Sequence, residues 1–272
     1  KSFYHDWYRP DLPAVIAVGD FDPKHVEALI RENFSELKNP AHEKPRTRYT
    51  VPATPGTAVK IVTDKEFPYN VVQIYVKHPS SVAKTTLQYL QNIRESLFNQ
   101  MINARMNELL QKPNPPYLYA AASYGNFLAN QDAFTTIAVA KSASELKTAL
   151  TAALDEVERA RKFGFTETEL ERAKVATLTA MENAYKEKDK TPSASFVQEY
   201  QQNFLQGEAI PGIDFEYNFY KNNINSITLK DINALAGEFI SDQNRVVIVQ
   251  APEKEKANLP TEQTLINWIR NR

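Results

Sequence analysis

The sequence predicts an α+β domain: a mainly antiparallel sheet with helices packed on one face. Three observations carry that prediction. Short segments alternating apolar and polar residues come in neighbouring pairs, 57–67 with 70–78 and 117–128 with 132–141. Several amphipathic helices with clear start signals follow the second pair, and a final apolar run, RVVIVQ at 245–250, supplies one more strand. Ahead of all this stands a strand-to-helix passage at 3–37 that has too little apolar surface to form a core alone.

That opening passage reads FYHDWYRPDLPAVIAVGDFDPKHVEALIRENFSEL. It contains an aromatic-rich start, an apolar strand over 14–18, a Gly19-Asp20 turn, and a helix from Pro23 to Leu37. Asp22 is the expected N-cap and Pro23 the first helical residue, a pairing that suits the unpaired N–H groups of a helix start. Val26, Leu29, Ile30, Phe34 and Leu37 recur at helical spacing on one face. The passage therefore reads as the tail (1–38) of a preceding domain with a similar fold. Since Lys1 stands where an initiator Met would, the expectation is a mature product or an excised fragment. Residues 39–56 carry four prolines and almost no large apolar residue, which predicts an extended, stiffened linker.

The main domain is expected over 57–272. After its first two strands, a long helix runs over 84–110 and is stopped by KPNPP at 112–116, since proline cannot continue the helical ladder. The second strand pair turns near 129–132. Ser142 and Glu145 match a capping box opening a helix to about residue 162, closed by Gly164. Thr166 and Glu169 match another, opening a helix to about 188, and further helices follow over 193–206, 214–223 and from Thr228. A small helix over 261–271 ends the chain.

Composition removes several function classes. Net charge is −1 with both signs interleaved, which leaves no electrostatic footprint for nucleic acid or an anionic membrane. With 7 glycines, no GxGxxG or GxxxxGK[ST] loop is present to cradle phosphate. Cysteine is absent, so disulfides, thiolate nucleophiles and Cys-based zinc sites are excluded together. No apolar run reaches the length of a membrane span.

Catalytic constellations are equally sparse. A zinc hydrolase needs histidines close together on a helix, a third ligand and a carboxylate to activate water. His5, His25, His42 and His78 are too dispersed for that, and neither HExxH nor HxxEH occurs. No GxSxG elbow occurs. Acidic pairs such as Asp155-Glu156 and the series Glu167, Glu169, Glu171 lie among Arg and Lys and read as solvated ion-pair faces. The aromatic clusters at 3–8 and 215–220 read as packing. Tyr117, Tyr119 and Tyr124, just past the proline-rich turn, are the candidate peptide-binding residues, because strand ends facing a cavity are a usual place for ligand contacts.

Three segments resemble the M16 (pitrilysin/insulinase) zinc metallopeptidases. YRPDLPAVIAVGDFDPKHVEALIRENFSEL looks like the passage near the end of that family's first domain. GFTETELERAK at 164–174 resembles a characteristic helix start, and ITLKDINALAGEFI…RVVIVQ resembles the closing helix and strand. The resemblance implies repeated α+β domains forming a clam-shell chamber, with zinc on an HxxEH helix and a downstream Glu ligand in the first domain. This chain begins after those residues, so the resemblance places no catalytic or metal-binding residue and no cofactor in it, with zinc expected in the parent. The family also sets an Arg seven residues before a substrate-gripping Tyr in a distant domain. With Tyr117 set against that Tyr, Leu110 takes the Arg position and the pair is broken. The implied role is the non-catalytic domain that completes the chamber wall and contacts an enclosed peptide. The implied partner is the remainder of the M16 polypeptide or a catalytic partner subunit. Self-association through 1–38 is a further expectation, and kinship with exported bacterial peptidases implies a periplasmic or envelope location. Two alternatives stay open at this point: an inactive partner subunit of the same fold, and an unrelated α+β ligand-binding domain.

Overall fold

The computed structural model describes residues 1–47, 49–128 and 130–271. Two helices open it: α1 (Ser2–Trp7), over the aromatic segment, and α2 (Pro23–Phe34). Asp22 caps α2 as expected, its carboxylate accepting from the Lys24 N–H at 3.0 Å, a contact worth about 1 kcal/mol. Residues 14–18 do not form the strand expected of them. A short apolar run becomes a strand only where a neighbour offers a hydrogen-bonding edge, and no strand among the described residues pairs with this one. Val15 is left exposed, as are Phe3, Tyr4 and Tyr8 of the aromatic segment and Leu29, Phe34 and Leu37 beyond it. Neither α1 nor α2 buries a residue.

The main body starts with β1 (Thr57–Asp64), β2 (Asn70–Pro79), α3 (Thr86–Leu110), β3 (Tyr119–Leu128) and β4 (Gln131–Ala140). It continues through α4 (Leu146–Phe163), α5 (Glu167–Lys186), α6 (Ser193–Gln206), α7 (Ile213–Asn223) and α8 (Leu229–Phe239) to β5 (Arg245–Pro252) and α9 (Glu262–Arg270). The expected turn between β3 and β4 includes Ala129, which lies outside the described residues. The five strands are ordered β1-β5-β2-β4-β3. Every pairing is antiparallel except β1 with β5. The first two strands are therefore not a hairpin: β5 returns from the far end of the chain and inserts between them. Strand-to-strand contact of such long sequence separation leaves no local signal.

The sheet's inward face carries Val72, Ile74 and Val76 of β2, Phe134 and Ala138 of β4, and Val247 and Val249 of β5. These pack against α3 (Leu97, Phe98, Met101), α4 (Leu150, Ala153, Val157) and α8 (Ile232, Leu235, Phe239) in one continuous core. Helix starts follow local chemistry in most places. Thr166 with Glu169 and Thr228 with Asp231 form complete capping boxes on α5 and α8. The box expected at Ser142 and Glu145 does not form. A 3-10 turn over Ala143–Glu145 precedes α4, and Ser142 Oγ turns instead to Ser144 Oγ at 2.9 Å and to the Glu145 carboxylate at 3.4 Å. The end of the proline-rich segment is tied to the sheet. Lys77 Nζ, buried, donates to the Pro52 carbonyl at 2.7 Å and to Thr54 Oγ1 at 3.0 Å. Asn244 exchanges hydrogen bonds with Thr54 at 3.0 Å each. Among the described residues, no helix is long and apolar enough to cross a membrane.

Candidate functional site

The side of the sheet away from the helical core is a half-open apolar surface, and the strand register says which residues share it. Directly paired residues lie on the same face. One row therefore crosses all five strands as Val62, Gln250, Val71, Val139 and Tyr119. The next row is Lys60, Ile248, Gln73, Ile137 and Ala121, and the third is Ala58, Val246, Tyr75, Thr135 and Ser123. At about 4.8 Å per strand, the surface is some 19 Å wide. Val62 is 44 % exposed and Tyr119 50 % exposed at the two margins, with Leu118 exposed beside Tyr119. Tyr75 stacks obliquely on Phe127 at 4.7 Å between centroids. The exposed apolar members of the face are thus at its margins, Val62 and Tyr119, while Val71 near its centre is buried and Lys60, Gln250 and Ser123 add exposed polar groups.

The three tyrosines singled out from sequence are not brought together. Tyr117 is fully buried, and its hydroxyl donates to the Met106 carbonyl at 2.7 Å. Burial, with a smaller effect from Glu156, pushes its pKa up to about 12. Tyr124 lies on the inward side, stacked on Phe239 at 3.9 Å with rings nearly parallel. Its hydroxyl is also pushed up to about 12, by burial first and then by Asp132, Glu95 and Glu238. Tyr119, one face away by the two-residue strand period, is the member of the set with surface to offer. Strand alternation separates Tyr119 from Tyr124, whereas Tyr117 lies before β3 and is buried through its bond to the Met106 carbonyl.

A second concave feature was not foreseen. A cavity of about 650 Å³ is bordered by Tyr89 of α3, Gln198, Glu199 and Gln202 of α6, and Glu208 and Glu216 beyond it. Burial raises the Glu199 pKa, and the charges of Glu216 and Glu208 raise it further. Tyr89 is raised well above its usual range by burial and by Glu216. Such a lining accepts hydrogen bonds and suits a cationic group. Its residues come from three separate stretches of chain, so no sequence spacing announces it.

The described residues of this chain offer no set of groups that fits zinc. Among the described residues no set of three His, Asp or Glu is close enough to hold a metal ion. His5, His25 and His42 are exposed and distant in sequence. His78 Nε2 sits 3.0 Å from the Phe239 carbonyl, so that nitrogen carries the proton and donates rather than ligates.

The chain's relatives are consistent with this arrangement. The family model for the peptidase M16 inactive domain matches residues 1–176. The chain is 28 % identical over 234 residues to a zinc protease PQQL-like protein of Arabidopsis thaliana, covering 86 % of this chain and 21 % of that protein. It is 26 % identical over 185 residues to the probable zinc protease PqqL of Escherichia coli, covering 68 % of this chain and 20 % of the relative. The chain thus spans about a fifth of the length of these curated relatives. Its fold matches the crystal structure of the first half of the periplasmic protease PqqL from Escherichia coli with a TM-score of 0.83 and 19 % identity. That match covers 99 % of this chain and 58 % of the other. The domain is one part of longer M16 proteins, and this chain belongs to the peptidase M16 family, matching its inactive domain.

Proposed function

We propose that this chain supplies the non-catalytic section of an M16-type zinc metallopeptidase, forming chamber wall and holding polypeptide substrate against the open sheet face. On this reading residues 1–38 end a preceding domain, 39–56 link, and 57–272 form the non-catalytic domain. The observation that carries it is the row Val62, Gln250, Val71, Val139 and Tyr119, whose exposed apolar ends, Val62 and Tyr119, flank a largely covered centre and which holds no group suited to bond cleavage. Tyr119 supplies the direct substrate contact. Tyr117 and Tyr124 hold the strand behind it through the Met106 carbonyl and the Phe239 ring. Zinc belongs to the remainder of the polypeptide or to a catalytic partner subunit, and no step of cleavage is assigned to residues of this chain. The unpartnered apolar residues of α2 mark where that neighbour packs. The likeness to the periplasmic protease PqqL of Escherichia coli supports a periplasmic or envelope location as part of this reading.

The test is made in the intact protease. Tyr119→Ala raises KM for an extended polypeptide about fivefold or more while kcat holds, because the contact serves the ground state and the transition state alike. An unchanged KM, or a fall in kcat alone, overturns the assignment of the open face as the substrate wall.

A further inference from the structure

The β3 margin of the sheet is already paired, and side chains rather than a strand do the pairing. The β3 strand lies at the edge of the order β1-β5-β2-β4-β3, so alternate residues direct both backbone groups away from β4. At two successive outward positions those groups are taken up by α3. Asn99 donates from Nδ2 to the Tyr124 carbonyl at 2.9 Å and accepts from the Tyr124 N–H at 2.8 Å. Asn103 donates to the Ala122 carbonyl at 2.6 Å and accepts from the Ala122 N–H at 3.1 Å. Each amide thus reproduces the reciprocal pair of bonds that one residue of a neighbouring antiparallel strand would make.

The spacing explains why two asparagines serve and a third does not. Four helical residues rise about 6.0 Å, and two strand residues advance about 6.7 Å, so successive rungs stay nearly level. The same four residues turn the helix by about 400°, which swings each further rung some 40° off the strand. Asn107 occupies the third position in sequence but is exposed. Asn103 Nδ2 also reaches the Asn99 carbonyl at 2.7 Å, locking the two rungs together. The opposite edge, β1, carries no such cap among the described residues.

We propose that Asn99 and Asn103 act as a built-in sixth strand that closes the β3 edge to strand addition. An exposed edge is a template for pairing with another extended chain, and the asparagine pair fills the template from within. The closure belongs to this chain by itself. Its consequence, that an enclosed polypeptide lies across the open face and does not extend the sheet at β3, rests on the proposed function.

The experiment compares the parent chain with N99A/N103A and with N103D. The Asp variant keeps the size and the acceptor for Ala122 N–H but loses the donor to the Ala122 carbonyl. Amide exchange is read by NMR and self-association by sedimentation. In N99A/N103A, protection at Ala122 and Tyr124 falls at least about tenfold, while the neighbouring amides of Ala121 and Ser123 hold. The self-association constant of the same variant rises at least about tenfold, as edges pair. If the double variant does not fold, N103D decides: increased self-association supports the closure and parental behaviour overturns it. Unchanged protection in a folded double variant overturns the proposal. So does lost protection with no gain in association, since the pair would then only tie helix to strand. None of these readouts depends on substrate, so failure of the proposed function leaves them standing.

Discussion

Glu169→Gln tests the corner that holds α5 to α3, and its effect can be worked from the geometry. Glu169 and Arg105 form a two-pronged pair, Nε to Oε1 at 2.6 Å and Nη2 to Oε2 at 3.0 Å. The side chains are 14 % and 5 % exposed. Arg105 also donates to the Gly164 carbonyl at 2.9 Å and lies over the Phe165 ring at 4.4 Å. Glu169 Oε2 further accepts the Thr166 N–H at 2.7 Å. Burial alone raises the Glu169 pKa, but the Arg105 and Thr166 hydrogen bonds overcome it and hold the group at about 2. The folded value is depressed below the ordinary 4.5, so the contribution is complete above about pH 4.5 and is lost as pH falls toward 2. At roughly 1.4 kcal/mol per pH unit the full contribution is about 3 kcal/mol. Gln retains size and the capping role at that helix position but has no charge. Urea denaturation of parent and E169Q is therefore expected to differ by about 2–3 kcal/mol at pH 7, with more than half of the gap gone by about pH 3. A gap that stays constant between pH 7 and pH 3 refutes the ion-pair reasoning.

Further predictions concern the same corner and the opening segment. Gly164 has φ +69° and ψ −161°, a conformation nearly confined to glycine, and an added Cβ would sit 2.5 Å from Asn233 Nδ2. Asn233 cannot retreat without losing its 2.8 Å bond from the Phe165 N–H, so Gly164→Ala is expected to cost about 3 kcal/mol or more in denaturant titration. Removing residues 1–38 takes away one buried residue, Arg9, whose ion pair with Asp11 and stacking on Trp7 lie within the same segment, so the thermal midpoint of the rest should move by no more than about 2 °C. The same deletion should reduce self-association in sedimentation. Cutting back through Thr54 should instead destabilise the domain, since buried Lys77 would lose both of its acceptors.

What the sequence disclosed follows the range of the interactions involved. Asp22-Pro23, Thr166 with Glu169, and Gly164 act within one helical turn, and the structure repeats them as read. The insertion of β5 between β1 and β2 depends on contacts nearly two hundred residues apart, so order along the chain suggested a hairpin that is not there. Residues 14–18 had the composition of a strand without a partner to pair with. Ser142 and Glu145 had the right spacing for a capping box, but the chain enters α4 through a 3-10 turn that carries the hydroxyl elsewhere. At the site, tyrosine identity was legible and orientation was not: strand alternation turns Tyr119 outward and Tyr124 inward. The recurrence of Asn at 99, 103 and 107 was visible in the sequence but gained meaning only once β3 lay alongside α3.

The most direct measurement is the zinc content of this chain, purified from zinc-supplemented medium, alongside its cleavage of an unstructured polypeptide. The account predicts less than about 0.1 zinc per chain and no cleavage, because a zinc site needs three or four converging ligands and the described residues assemble none. One zinc per chain, abolished by substituting this chain's own histidines and accompanied by proteolysis, would contradict it.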